Sequence, residues 1–315
     1  MISVLMSIYN ENLSWIQQSI ESILGQTYRD FEFIIIVDNP YIGDEIIEFL
    51  DRQCENDGRI KLIRNEQNVG LARSLNLGIH IASGDYIARM DADDISEKNR
   101  FEREIQFIKE GEYDLVSAYK INIDENGNEI GVDLPIDRNP NKVLRYSNII
   151  VHPLVLVKTE VLKRLNGYRL LINSEDLDLW LRMIDSGYRL GILKEYLLRY
   201  RVRFNSASVE RQLEQYYINK YIIKLMKERK ENGKDSFSIE HQREYIKNKK
   251  ITDKKKRKFF YANKNIEIAL REINNRRYLG SMWYILCATI CFPQLTIDKL
   301  YNYYHSNLER YKLSE

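Results

Sequence analysis

The stretch Phe31-Glu32-Phe33-Ile34-Ile35-Ile36-Val37 constrains this chain more than any other. It is nearly continuous Phe, Ile and Val, too apolar on both alternating faces for a strand with one wet side. Such a strand is buried between two layers, as in a parallel sheet covered by helices. The neighbouring sequence supplies those parts in alternation. Apolar runs at Ile2–Ile8, Ile60–Ile63 and Tyr86–Met90 read as strands. Helical spacing appears over Leu13–Leu24, around Ile46–Leu50 and over Leu71–Ile81, with Ser14 as a cap for the first helix. The order β-α-β-α-β-α-β predicts an α/β fold with a doubly wound sheet and right-handed crossovers.

Ligands of such sheets bind beyond the carboxyl ends of the strands. The polar residues there are Tyr9-Asn10-Glu11, Asp38-Asn39 and Asp91-Ala92-Asp93-Asp94. Three carboxylates within four residues repel one another unless a cation joins them, and hard oxygen ligands suit Mg²⁺ or Mn²⁺. The plain alternative is a solvated acidic loop capping a helix that starts near Ser96. Asp38 can accept hydrogen bonds from a base or ribose; as Asp-Asn-Pro it is equally a turn.

Past this region the pattern is mixed. Phe101–Ile108 reads as a helix, Leu115–Ile123 as a strand, Asn126-Gly127 as a hairpin turn, Glu175–Ile184 as a helix and Tyr196–Val202 as a strand. Glu175 and Asp176 open their helix. They either complement its dipole or supply a general base, which a hydroxyl nucleophile needs before it can attack. Arg201 and Arg203 share a strand face and could clamp a diphosphate, or be solvated strand charges.

Together these residues resemble family-2 glycosyltransferases with a GT-A fold, of the kind that builds bacterial O-antigens and capsules. The resemblance runs in order through Ser3–Glu11, Ser22–Glu32, Ile36-Val37-Asp38, Asn68–Gly78, Gly84-Asp85-Tyr86 leading to Asp91–Asp94, His152-Pro153 and Glu175–Arg182. It covers about the first 208 residues. It implies a mixed sheet with a Rossmann-like nucleotide half (1–95), an acceptor-binding half (96–208) and a helical C-terminal region (209–315). Tyr9, Asn10, Glu11 and Asp38 would hold the nucleotide. Asp93 would ligate Mn²⁺ or Mg²⁺, with Asp91 on the metal or ribose side and Asp94 near the donor sugar. Asp176 would be the base and Glu175 its alternative or support. The implied reaction is inverting transfer of a hexose, galactose or glucose from a UDP-sugar, in β linkage. The implied acceptor is a polyprenyl-diphosphate-linked sugar, through a β1,3 bond to an N-acetylhexosamine.

Three positions depart from the family pattern. Val37 takes the first of two aspartate slots at the second strand end. Arg73 comes early in its segment, displaced from the donor contact it would make. Arg203 stands where relatives often carry His, and arginine is not a neutral metal ligand.

The remaining features concern place and partners. A formal net charge of only +2 implies no global electrostatic partner. Three cysteines without framework spacing suit a reducing compartment. The N-terminus carries no basic region or long apolar run of a signal peptide, so folding in the cytoplasm is expected. After about Ser206 the chain turns helical and basic. Lys247–Lys258 carries eight Lys/Arg against Asp253 alone, and Tyr278–Ile297 carries no charge. The uncharged run would be an in-plane membrane anchor through Trp283 and Tyr284, a span, or an ordinary core or dimer helix. These features predict a peripheral protein on the inner face of the bacterial inner membrane, and admit a homodimer. The rival readings are a non-catalytic scaffold and a nucleic-acid-binding protein using Lys247–Lys258 with Phe259, Phe260 and Tyr261. The second leaves both acidic runs without a purpose, so no nucleic-acid partner is expected.

Overall fold

The computed structural model describes residues 1–132, 138–203 and 211–311, with the side chains of 309–311 set aside. Phe204–Ser208, part of the segment following the last strand, and the expected boundary at 208/209 lie outside the described residues. Two compact units emerge. One comprises Met1–Asn141, Ile149–Leu170 and Glu175–Phe204; the other comprises Lys142–Asn148, Leu171–Ser174 and Asn205–Glu315.

The first unit is built on one mixed sheet. Its strands are β1 (Ile2–Ile8), β2 (Phe31–Val37), β3 (Ile60–Arg64), β4 (Tyr86–Asp91), β5 (Ile95–Ser96), β6 (Leu115–Ile123), β7 (Glu129–Val132), β8 (Val155–Lys158) and β9 (Leu190–Arg201). The order is β3-β2-β1-β4-β8-β6-β9-β5, with β7 pairing β6 as a hairpin. β3, β2, β1 and β4 run parallel, while β8 is antiparallel to β4 and β6. Every residue of β2 is buried, as its composition requires. The sheet is covered by α1 (Leu13–Leu24), α2 (Asp44–Asn56), α3 (Leu71–Ile81), α4 (Arg100–Glu110), α6 (Thr159–Arg164) and α7 (Glu175–Asp185); α5 (Pro140–Val143) is a single turn. Ile16, Ile20 and Ile23 of α1 join the β-strand side chains in one apolar cluster, a helical stripe packed on a sheet face.

Two local expectations are corrected. Asn12, not Ser14, caps α1: its side chain accepts from the Trp15 amide at 3.0 Å, and Ser14 donates to that same Asn12 oxygen. The cap must precede the first helical residue, and Ser14 already lies inside the helix. Nor does a helix begin near Ser96. Ile95-Ser96 pairs with Leu198 and Arg199 as a short strand, and α4 starts at Arg100.

The second unit is helical: α8 (Gln212–Asn232), α9 (Ile239–Asn248), α10 (Asp253–Asn274), α11 (Tyr278–Cys291) and α12 (Pro293–Tyr311). Leu213, Tyr217, Phe259, Ala262, Ile266, Ala288, Phe292 and Leu295 form its core. Ser238 and Thr252 cap α9 and α10 through the amides of His241 and Lys255. Tyr216 and Lys220 of α8 both bond Asp298 of α12. The uncharged run is broken at Phe292-Pro293, because proline cannot continue a helix from α11. Among the described residues no helix is long and apolar enough to cross a membrane, which removes the span reading. Phe259 is a core residue, so it is not available for nucleic acid.

Candidate active site

Strand register assembles the site. Ser7 pairs with Asp91 and Ile8 with Val37, so β1, β2 and β4 end along one edge. The Tyr9–Glu11 turn, Asp38-Asn39 and Asp91–Asp94 leave the sheet side by side. Asn39 ties two of them together: its Nδ2 donates to the Tyr9 carbonyl at 2.9 Å and to Asn10 Oδ1 at 3.0 Å. Glu11 is oriented by its own turn, accepting from the Tyr9 and Asn10 amides. The Tyr9 ring is exposed.

Asp38 is buried and heavily engaged. Its Oδ1 accepts from Asn65 Nδ2 (2.7 Å) and the Val69 amide (2.9 Å), and its Oδ2 from the Gly70 amide (2.8 Å). Three of a carboxylate's roughly four acceptor positions are thus taken. These bonds also shape the Val69-Gly70 loop, whose Gly70 has φ +87°. Arg73 sits on the solvent side of the first turn of α3 and donates to the Val69 carbonyl. Val37, in the first aspartate slot, is the last, buried residue of β2.

Asp91 is the final residue of β4, and Ser19 Oγ holds its carbonyl at 2.8 Å. One carboxylate oxygen from each of Asp91, Asp93 and Asp94 lies within 4.8 Å of the others. Burial, then repulsion from Asp91, lifts Asp93 to about 6 against the pull of Arg203. Burial and the charges of Asp91 and Asp93 lift Asp94 well above the usual carboxylate range. Asp94 Oδ1 accepts the Arg201 amide at 2.8 Å, while its buried Oδ2 has no hydrogen-bond partner. This oxygen-only set, strained by its own charge and holding an unpartnered acceptor, fits a hard divalent cation.

The two arginines have different surroundings. Arg201 is only 3% exposed. Its guanidinium donates to the carbonyls of Asp93, Asp124 and Glu125 and to Gln18 Oε1. With its donors used inside the protein it braces the acidic loop from behind, which corrects the expected diphosphate clamp. Arg203 is partly exposed, with Nη2 2.9 Å from Asp93 Oδ2 and 3.8 Å from Glu11 Oε1. Both guanidinium groups lie over the Trp15 ring, at 5.2 and 5.9 Å.

Glu175 and Asp176 form the first turn of α7. Burial, then the Asp176 charge, raises Glu175 to about 7, opposed by Arg89. Farther along the same helix, Asp178 and Arg182 make a buried pair at 2.7 Å, and Arg182 also donates to the Leu165 and Gly167 carbonyls. Asn76 clamps the same loop through both backbone polar groups of Tyr168. Gly167, at φ +63°, must be glycine there, since a Cβ would sit 2.2 Å from Asn76 Oδ1. His152 bonds the Tyr168 hydroxyl at 2.9 Å; burial, then Arg89, keeps the imidazole neutral well below its ordinary pKa.

Arg89 is the residue the sequence reading passed over. It lies two positions before Asp91 on the same strand face, fully buried, and pairs with the Asp91 carboxylate. Its field reaches Glu175, Asp94, His152 and Tyr168. The signal was a single arginine inside the otherwise apolar Tyr86–Met90 strand.

The family model described as "Glycosyl transferase family 2" matches residues 3–164. An uncharacterized glycosyltransferase of Methanocaldococcus jannaschii is 36% identical over 228 residues, 71% of this chain and 78% of that protein. The O-antigen biosynthesis glycosyltransferase WbnJ of Escherichia coli is 35% identical over 223 residues, 69% of this chain and 85% of that protein. The solved structure of S. aureus TarS 1–349 in complex with UDP-GlcNAc covers 100% of this chain and 92% of its own, with a TM-score of 0.60 at 16% identity. The shared fold is GT-A-like: a mixed α/β sheet followed by helices.

Proposed function

Because this chain belongs to glycosyltransferase family 2, we propose that it is a metal-dependent, inverting hexosyltransferase. Its donor is a UDP-sugar, UDP-galactose or UDP-glucose. Its acceptor is a sugar on a polyprenyl diphosphate, extended through a β1,3 link to an N-acetylhexosamine during O-antigen or related polysaccharide assembly at the inner face of the membrane. The names of the relatives in O-antigen and amylovoran biosynthesis support the pathway class, and the UDP-GlcNAc-bound TarS supports a uridine nucleotide.

One observation carries the reading: Asp91, Asp93 and Asp94 crowd the end of β4, with Arg89 linking their field to Glu175. Asp91 and Asp93 would hold Mn²⁺ or Mg²⁺, which when bound neutralises charge building on the departing diphosphate. The Tyr9–Glu11 turn and the loop shaped by Asp38 receive the nucleoside. Arg203, facing Asp93 and Glu11, adds a cation at the phosphate side. Asp94, turned toward the Arg201 amide, fixes the floor under the donor sugar. Asp176 takes the proton from the acceptor hydroxyl, whose oxygen attacks the anomeric carbon opposite the leaving diphosphate. That single displacement turns an α-linked donor into a β-linked product. Glu175 is the alternative base, favoured by a carboxyl raised to about 7.

Calorimetric titration with UDP in Mn²⁺, then in EDTA, tests the reading. Metal-dependent binding supports it. Binding of equal strength in EDTA removes the metal, and no binding in either condition removes the uridine donor.

A further inference from the structure

The helical unit leaves an unusual surface uncovered. On α11 the packed side is Ser281, Ala288 and the neighbouring Phe292. Directly opposite, at helical spacing, stand Leu279 (87% exposed), Met282, Trp283, Leu286 and Ile290 (73% exposed). The next helix repeats the pattern with Ile297, Tyr301 and Tyr304, all more than half exposed. Single exposed apolar residues are ordinary, but a continuous stripe of this kind marks an interaction surface.

The charges around the stripe identify the partner. From Asp253 to Asn307 there are ten Lys/Arg against four acids. Three of those acids are already matched within the unit: Asp298 by Lys220 and Tyr216, Glu272 by Arg277 at 4.0 Å, and Asp253 by Lys256 at 3.7 Å. Arg271, Arg276 and Arg277 are exposed just before the stripe begins, and Lys299 is exposed between Ile297 and Tyr301. A second copy of the same surface would bring like charges together. An apolar face with Trp and Tyr, bordered by exposed cations in excess of acids, complements an anionic bilayer surface.

We propose that the outward faces of α11 and α12 dock in the headgroup region of an anionic lipid bilayer, lying in its plane. This deepens the membrane partner of the function proposed above and narrows the expected lipid contact. Tyr284 is half-buried and drops out of the expected anchor, while Trp283 remains. The basic run also contributes less than its count implies, because Lys249 and Lys255 turn onto Tyr217 and, for Lys249, Tyr245.

The test is flotation of the full chain with vesicles of phosphatidylglycerol and phosphatidylethanolamine, against vesicles of phosphatidylcholine alone. The wild type should float with the anionic vesicles, weakly with the neutral ones, and less as salt is raised. Leu286→Glu with Ile290→Glu should cut flotation about tenfold or more, by placing two charges where apolar burial is needed. Arg276→Gln with Arg277→Gln should lose the preference for anionic lipid. Wild-type protein that stays unbound, or a double glutamate variant that floats normally, overturns the proposal. A concentration-dependent dimer in sedimentation velocity that the glutamate variant abolishes assigns the face to a second copy and overturns it equally. UDP binding, measured on the same preparations, reads the donor site separately and should be unchanged in both variants.

Discussion

The molecule carries two acidic runs of similar composition, Asp91–Asp94 and Glu175–Asp178, and the fold treats them differently. In the first, the carboxylates converge beyond a strand end, and burial plus mutual repulsion pushes Asp93 and Asp94 upward. In the second, helical spacing sends the acids apart. Glu175 stays in the reach of Arg89, whereas Asp178, three residues on, is consumed by Arg182 in a buried pair. Clustered acids are therefore not one signal. A strand end can hold charges together in a strained group, while a helix distributes them between chemistry and scaffolding.

Substitutions can break this contrast. The largest effect is expected at Asp93→Ala, which should lower metal-dependent turnover about 10³-fold, the equivalent of ~4 kcal/mol of charge stabilisation; near-normal rates in Mn²⁺ would remove Asp93 from the metal site. Asp176→Asn should retain UDP binding while transfer falls at least about 10²-fold, and full transfer by that variant hands the base to Glu175. In the scaffolding half, Arg182→Met should leave buried Asp178 with only the longer, 3.5 Å pair to Arg169 and cost up to about 3–5 kcal/mol in chemical denaturation; a loss below ~1 kcal/mol would show that the Arg182 pair is not structural.

Subtler measurements sharpen the comparison. With Glu175 as the base in place of Asp176, kcat/KM falls as pH drops through about 7, the value to which Glu175 is raised. Glu175→Gln should remove that limb, and its persistence would place the titrating group elsewhere. The smallest effect is expected at Arg203→Ala. Releasing Asp93 from a partly exposed ion pair should tighten Mn²⁺ binding about two- to fivefold, read by electron paramagnetic resonance; weaker binding would make Arg203 a supporting group for the metal.

The parts legible from the sequence were those set by local pattern. The continuous apolar character of Phe31–Val37 and the spacing of Leu13–Leu24 mark elements whose bounds the structure reproduces. The strand ends likewise point to the edge where Tyr9, Asp38 and Asp91 meet. What could not be read depends on partners far along the chain. Arg201 looks like an open cation until Gln18 and the Asp124 and Glu125 carbonyls close around it. Asp38 looks free until the Val69 and Gly70 amides arrive. Arg89 is one charge in an apolar run, and its meaning appears only once Asp91 and α7 are in place. Spacing carries no information about such contacts, because they are set by tertiary packing.

The alternation of β4 also bears on which genetic changes this site can absorb. Arg89 and Asp91 share one face, and Met90, on the other, belongs to the apolar core. Replacing Met90 with another apolar residue of similar volume perturbs packing and removes the Sδ that accepts from buried Arg100 at 3.6 Å, but leaves the carboxylate face intact. Deleting a single residue within β4, by contrast, inverts the strand. It would drive the guanidinium into the core and turn the methionine toward the carboxylates. Over generations, the apolar positions of Tyr86–Asp91 should therefore drift in identity while Arg89, Asp91 and the length of the strand are kept.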